Sequence, residues 1–389
     1  MSAQSTNLDV TNVRAVLANR QREILALTRA LVETESPSGD EVGSKAVVSL
    51  IAAAARNISA VTTIERVPSD GFGEHLRIKA FNGSKQSHPI LILGHTDTVH
   101  PRGAIEQRPW RVEGNRAYGP GVFDMKANCA LGVEVIRACA NLSNVTIPPV
   151  VLLLTCDEEK GSASGRSLVE AEAKRARAVL VLEPPARGGS VKTGRKGTAM
   201  FTVTARGLAA HAGLEPEKGA SAVLEMARQI QRLHEMNDLA TGVSVNVGVV
   251  RGGTVSNVVP AEATAEIDIR FRTHDDALRI QERLTSLRAF DSRVELIVEG
   301  EINRPPLERN EKVLSLYERA REISRLLEYD LGEAQVGGAS DGNFAAAVGA
   351  SVLDGLGVMG DGAHAVHEHV IIDDIPTRGA LLAGLIGSL

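Results

Sequence analysis

Aromatic side chains are scarce, at 3% of 389 residues, which argues against a surface that stacks nucleic-acid bases. The formal net charge of −5 gives no attraction for phosphate backbones or anionic membranes. Only three cysteines occur, Cys129, Cys139 and Cys156, and none forms a Cys-x-x-Cys pair. A sparse, odd set fits reduced thiols rather than a disulfide framework. Apolar runs all fall short of a membrane span, and the first residues have neither the basic start nor the apolar stretch of a signal peptide. The expected compartment is therefore the cytoplasm, with no nucleic-acid or membrane partner.

The remaining composition, 43% hydrophobic and 23% charged, is that of a folded chain long enough for more than one domain. Helical periodicity runs through 11–35 and again over 40–56. Short runs rich in Val, Ile and Leu at 89–94, 150–155 and 179–182 read as buried parallel strands, because they do not alternate. Helices are expected between them at 125–142 and 164–175, and strands alternating with helices indicate an α/β domain. Between residues 195 and 303 the pattern changes. Alternating strands at 199–205, 243–250, 263–272 and 293–298 and helices at 220–234 and 275–289 describe an inserted α+β unit of four strands and two helices. The expected organisation is a discontinuous α/β catalytic domain, 1–194 with 304–389, carrying this insertion. The strand at 199–205 is expected to present an open edge, which invites pairing with a second copy.

The chemistry sits where the buried runs end. The first ends in Gly94-His95-Thr96-Asp97, the second in Cys156-Asp157-Glu158-Glu159 and the third in Leu182-Glu183-Pro184. In a parallel sheet these ends share one edge, where open α/β folds bind ligands. Asp124 precedes the next helix, and three histidines, His364, His367 and His369, cluster late. Taken singly, Asp124 reads as a helix N-cap, and Glu158, Glu159 and Glu183 read as solvated loop acids. Taken together, four such features at the ends of successive elements indicate a metal site, since imidazole and carboxylate suit zinc. His95 and Asp97 are two apart, so on a strand they face the same way and Asp97 can hold the second ring nitrogen of His95. Of the adjacent Glu158 and Glu159, one can bind metal while the other moves a proton.

With these motifs in view, the chain resembles the zinc carboxypeptidase G, acetylornithine deacetylase and aminoacylase family. The likeness extends through Gly94-His95-Thr96-Asp97-Thr98-Val99, Tyr118-Gly119-Pro120-Gly121, Asp124-Met125-Lys126, Asp157-Glu158-Glu159-Lys160-Gly161 and His211-Ala212-Gly213. It continues through Gly252–Pro260, Ile267-Asp268-Ile269-Arg270, Gly337-Gly338-Ala339-Ser340-Asp341 and His364 followed by Glu368. Within the family it is most similar to the glutamate carboxypeptidase branch. The resemblance implies two zinc ions per chain, or cobalt or manganese, bridged by Asp124. One ion would take His95 and Glu183, the other Glu159 and His364, the histidine that has a Glu four residues on. It further implies Glu158 as general base, Asp97 as support for His95 and His211 as oxyanion donor from the other subunit of a homodimer paired through the insertion. Asn257, Arg270 and Arg304 match positions that bind a substrate carboxylate.

The implied reaction is hydrolysis of the amide bond of an N-acyl or peptidyl amino acid, with deacetylase or desuccinylase activity as the alternative. Two readings from other classes compete. A nucleotide-binding oxidoreductase would need a Gly-x-Gly-x-x-Gly turn after the first strand, and none is there. A non-catalytic metal- or ligand-binding protein would have no use for Glu158 beside a full ligand set. Met125-Lys126-Ala127-Asn128 departs from the family's usual Lys-Gly-Gly, and His369 stands where Tyr is commoner.

Overall fold

The computed structural model describes residues 8–82, 88–142 and 145–389. The chain divides into two compact units, one made of 1–193, 309–336 and 340–389, the other of 194–308 with 337–339.

In the first unit, helices α1 (Val10–Asn19), α2 (Gln21–Glu33) and α3 (Glu41–Arg56) come first. Asp9 and Asp40 cap α1 and α3 by accepting from backbone amides of the first turn. The periodic stretch 11–35 is thus two helices, parted at Arg20, whose φ of −104° and ψ of 10° leave the helical range. Strands β1 (Val61–Ser69) and β2 (Gly73–Ala80) form an antiparallel hairpin not expected from the sequence. Then follow β3 (Ile90–His95), α4 (Ala127–Ala140), β4 (Val150–Thr155), α5 (Gly165–Ala173) and β5 (Ala178–Val181).

The second unit holds β6 (Gly197–Arg206), α6 (Ala222–His234), β7 (Ser244–Gly252), β8 (Glu262–Phe271), α7 (His274–Thr285) and β9 (Glu295–Arg304). The chain then returns to the first unit with α8 (Glu311–Leu326), β10 (Val352–Leu353) and α9 (Ile375–Ser388).

The main sheet of the first unit runs β1-β2-β4-β3-β5-β10. β3 is parallel to β4 and β5, and β10 to β5, while the hairpin joins antiparallel through β2 and β4. Strands β3 and β4 are buried at every residue, which is why they read as unbroken apolar runs. Helix α4 is buried at twelve of its fourteen residues and lies against α2, α3 and α9. Register sets the site. Ile90 pairs with Val150 and His95 with Thr155, while Leu93 pairs with Val181. The carboxyl ends of all three central strands therefore come level. No helix among the described residues is long and apolar enough to cross a membrane.

The inserted unit is an antiparallel sheet, β7-β8-β6-β9, with α6 and α7 on one face and its own apolar core. Here one expectation fails. The strand at Gly197–Arg206 pairs with β8 on one side and β9 on the other, so it is central. The open edges belong to β7 and β9. Alternation along a strand reports which face is buried, and it carries no information about which strand ends the sheet.

Candidate metal centre

His95 is the last residue of β3 and is 1% exposed. Its Nδ1 lies 3.0 Å from the main-chain carbonyl oxygen of Asp97. A carbonyl can only accept, so Nδ1 carries the proton and Nε2 is the nitrogen turned to the site. Nε2 lies 3.2 Å from Oδ1 of Asp124 and 3.5 Å from Oε1 of Glu183. On the other side, Nε2 of His364 lies 3.4 Å from Oδ2 of Asp124 and 3.3 Å from Oε1 of Glu159. Asp124 therefore turns one oxygen to each histidine. Single donor atoms of His95, Asp124 and Glu159 all lie within 4.8 Å of one another.

Asp97 sits beside the second ring nitrogen of His95, as expected, and does more besides. Its carboxylate is 3.4 Å from Nδ1 of His95, longer than the contact made by its own carbonyl. The carboxylate also accepts from the amides of Glu158 (3.2 Å) and Glu159 (3.1 Å) and from the Ser38 hydroxyl (2.5 Å). The strand stops at His95, so the chain turns here and brings both the carbonyl and the carboxylate of Asp97 to the same ring nitrogen. Asp97 thus fixes the turn that carries both glutamates.

That turn is held from a second direction. Asp341 accepts from the Thr155 hydroxyl at 2.8 Å and from the Ser162 hydroxyl, so one carboxylate spans both ends of the segment holding Glu158 and Glu159. Asp157 accepts from the amide and hydroxyl of Ser164, both at 2.7 Å, and starts α5. Sequence reasoning gave Asp341 no role beyond a motif. Its signal was a lone acid after Gly337-Gly338, in a chain where acids elsewhere marked the strand ends.

Asp124 is not an N-cap. Helix α4 begins after Lys126 with no side-chain cap, and the peptide bond between Asp124 and Met125 is cis. Lys126 is buried and donates to the carbonyls of Leu31 (2.9 Å) and Thr34 (2.7 Å). Burial pushes its ammonium down to about 8. His364 adopts a φ of +65°, a conformation that costs a residue with a Cβ roughly 1–2 kcal/mol. Such a backbone persists where its surroundings over-determine it.

The electrostatics show what the cluster needs. Burial disfavours charge on His95, yet hydrogen bonding to Asp124, Asp97 and Glu183 outweighs it and raises its pKa well above normal. Hydrogen bonds to Asp124 and Glu159 raise His364 to about 10. Burial also opposes ionisation of Asp124, but His364 and His95 hold it well below the usual carboxylate range. Burial pushes Glu159 up, and its buried Oε1 receives no hydrogen bond of good geometry among the described residues. Three acids thus meet two imidazoles, a surplus of buried negative charge that a bound cation would balance. The spacing agrees. Two donors on one zinc at a tetrahedral angle stand roughly 3.3–3.5 Å apart, and the four contacts measured are 3.2–3.5 Å. The residues fit a pair of cations that share Asp124.

Of the remaining candidates, Glu158 is 7% exposed in the same turn, whereas His211, Asn257, Arg270 and Arg304 belong to the inserted unit. Nδ1 of the exposed His211 accepts from the amides of Gly213 (3.1 Å) and Leu214 (3.2 Å), which leaves the proton on Nε2. Arg270 is forked onto Asp268 at 2.8 and 2.9 Å. Asn257 is exposed, and its carbonyl accepts from the amide of Ala212.

The chain is 31% identical over 380 residues to carboxypeptidase G2 of Pseudomonas sp. strain RS-16, covering 95% of this chain and 90% of that one. The chain belongs to the M20 peptidase family. Residues 193–291 match the peptidase dimerisation domain. A succinyl-diaminopimelate desuccinylase of Alkalilimnicola ehrlichii is 30% identical over 343 residues, with 82% and 88% of the two chains covered. Among solved structures, aminopeptidase PepT of Bacillus cereus shares the fold with a TM-score of 0.75 at 20% identity, over 94% of this chain and 98% of that one. A Bacillus subtilis protein described as a dinuclear metal-binding peptidase of the M20 family has a TM-score of 0.66 at 13% identity, over 95% and 98%. This M20 protein is accordingly a hydrolase, and its fold is the α/β catalytic architecture with an α+β insertion expected from the sequence.

Proposed function

We propose that the protein is a dinuclear zinc amidohydrolase that releases an amino acid with a free carboxylate, preferably glutamate, from N-acyl or peptidyl substrates. The observation that carries this reading is Asp124, with each oxygen 3.2–3.4 Å from a different histidine and each histidine backed by a further acid. His95, Glu183 and Asp124 would hold one ion, and Glu159, His364 and Asp124 the other. Two zinc ions supply a Lewis acid for the amide carbonyl and lower the pKa of water.

The protein's own groups do the rest. Glu158, on a turn held by Asp97, takes the proton from the attacking water and delivers it to the leaving amine. His211 has its proton on Nε2 and suits donation to an oxygen on which negative charge develops. Arg270 and Arg304 offer forked donors and Asn257 an amide for the substrate carboxylate.

Metal analysis should return about two zinc ions per chain, and exhaustive chelation should abolish turnover. An N-acyl glutamate should be cleaved, and its C-terminal amide much more slowly. Full activity after chelation sinks the metal reading, and equal turnover of acid and amide sinks the carboxylate reading. The desuccinylase relatives favour a second specificity, and N-succinyl amino acids in the same screen separate the two.

We further propose a homodimer paired through the inserted unit, in which His211 serves the partner's site. Neither a His211→Ala chain nor a Glu158→Gln chain should be active alone. Mixed dimers of the two should regain one intact site, whereas inactive mixed dimers would assign His211 to its own subunit.

A further inference from the structure

Three backbone amides of the Asp124 loop converge on one carboxylate outside the proposed ligand set. The amide of Gly121 donates to Oε2 of Glu368 at 2.8 Å, and the amides of Phe123 and Asp124 donate to Oε1 at 2.9 and 3.0 Å. Nε2 of His100 lies 2.6 Å from Oε2. Glu368 is 2% exposed and His100 7%. Behind His100, Nη2 of Arg108 lies 3.2 Å from Nδ1, and Nη1 of the same guanidinium donates to the carbonyl of Ala365 at 3.3 Å. A guanidinium can only donate, so Nδ1 of His100 accepts and its Nε2–H points at Glu368.

The connection has a specific consequence. Asp124 and Met125 have non-helical backbone angles, so this loop has no regular ladder to fix it, and its buried amides need partners. Glu368 supplies them. Glu368 also lies four residues after His364, and Arg108 holds the carbonyl of the residue that follows His364. The set therefore ties the loop bearing Asp124 to the loop bearing His364 on two sides. The two side chains carried by these loops lie 3.4 Å apart.

We infer that Glu368 is a positioning residue that sets Asp124 between the two metal positions, and that His100 and Arg108 hold it in place. The inference rests on the dinuclear reading above. Supporting groups behind metal ligands, when removed, typically cost 10–100-fold in metal affinity or activity. Glutamine is the informative replacement, because one of its two terminal atoms is a donor and cannot accept from the loop amides.

The test is a titration of the chelated full-length protein with cobalt(II), followed by the visible spectrum and by competition with a chelator. Turnover of an N-acyl glutamate is measured at saturating metal. Glu368→Gln, folded by circular dichroism, should bind cobalt about 10–100-fold more weakly. Its spectrum should change, and kcat should fall about tenfold or more with KM nearly unchanged. His100→Phe should move both quantities in the same direction by less, and His100→Gln, which keeps a donor, should recover most of the loss. A folded Glu368→Gln protein with wild-type cobalt affinity, spectrum and kcat overturns the inference. If that variant does not fold, wild-type values in His100→Phe overturn it equally. A wild-type chain that binds no cobalt in the same titration would instead remove the dinuclear reading on which the inference stands.

Discussion

At the carboxyl edge of the first unit's sheet, Asp124, Glu159 and Glu183 face His95 and His364 at 3.2–3.5 Å, all largely buried except His364. In the inserted unit charges are settled between neighbours instead. Arg270 is forked onto Asp268, Arg293 onto Asp291 at 2.8 Å, and Arg251 meets Glu266 across β7 and β8. The first arrangement concentrates like charge where water cannot screen it, and folding alone would disfavour that. The second costs little and needs no further partner. On the proposed reading the first unit carries the chemistry, and Arg270 would have to exchange or share Asp268 before it could hold a substrate carboxylate.

The sharpest way to break this contrast is to remove Glu158, the proposed proton carrier, which lies outside the proposed ligand set. Glu158→Gln should retain both metals and lose kcat by about a hundredfold or more. Metal content and turnover measured on the same sample decide the matter. Loss of metal in that variant would exchange the roles of Glu158 and Glu159.

The same contrast explains what was legible in the sequence. Strands β3, β4 and β5 were readable because burial on both faces leaves an unbroken apolar run, and the residues just beyond them are the site. The β1–β2 hairpin escaped because β1 is half-exposed, with Thr62, Thr63, Glu65 and Arg66 among its residues, so it has no such run. The second role of Asp97, on the turn of Glu158 and Glu159, and the role of Asp341 escaped for a different reason. Both act on backbone amides or hydroxyls of other segments, and a hydrogen bond between residues 186 positions apart leaves no local pattern. In the insertion, alternation gave the elements and their faces correctly but not the strand order.

A second test concerns buried charge outside the ligand set. Burial holds Lys126 at about 8, from an ordinary 10.5. The group's folded pKa is depressed, so below pH 8 both states are protonated and the burial penalty is fully felt. Between pH 8 and 10.5 the unfolded chain keeps its proton while the folded one releases it, so the lysine's contribution to stability rises with pH. The full shift is worth on the order of 3 kcal/mol. In urea unfolding of the metal-free protein, the wild type should gain on Lys126→Met across that window. A constant difference between the two would show that the lysine stays charged in the folded state.

The smallest effect is expected from the pair that most resembles the metal centre on paper and differs from it most in setting. Arg251 and Glu266 are opposite charges in contact on adjacent strands, with side chains 68% and 49% exposed. Water screens them, and holding two long side chains together costs rotamer freedom, so such pairs couple by about 0.2–1 kcal/mol. A double-mutant cycle of Arg251→Met and Glu266→Gln, read by urea unfolding of the whole chain, should return a coupling in that range. The coupling should fade as salt is raised, since the Debye length shrinks to about 3 Å at 1 M. A coupling above about 2 kcal/mol that survives salt would mean the insertion's charges are as strongly committed as those at the sheet edge. Exposure would then no longer separate the charges that do chemistry from the charges that only decorate a strand.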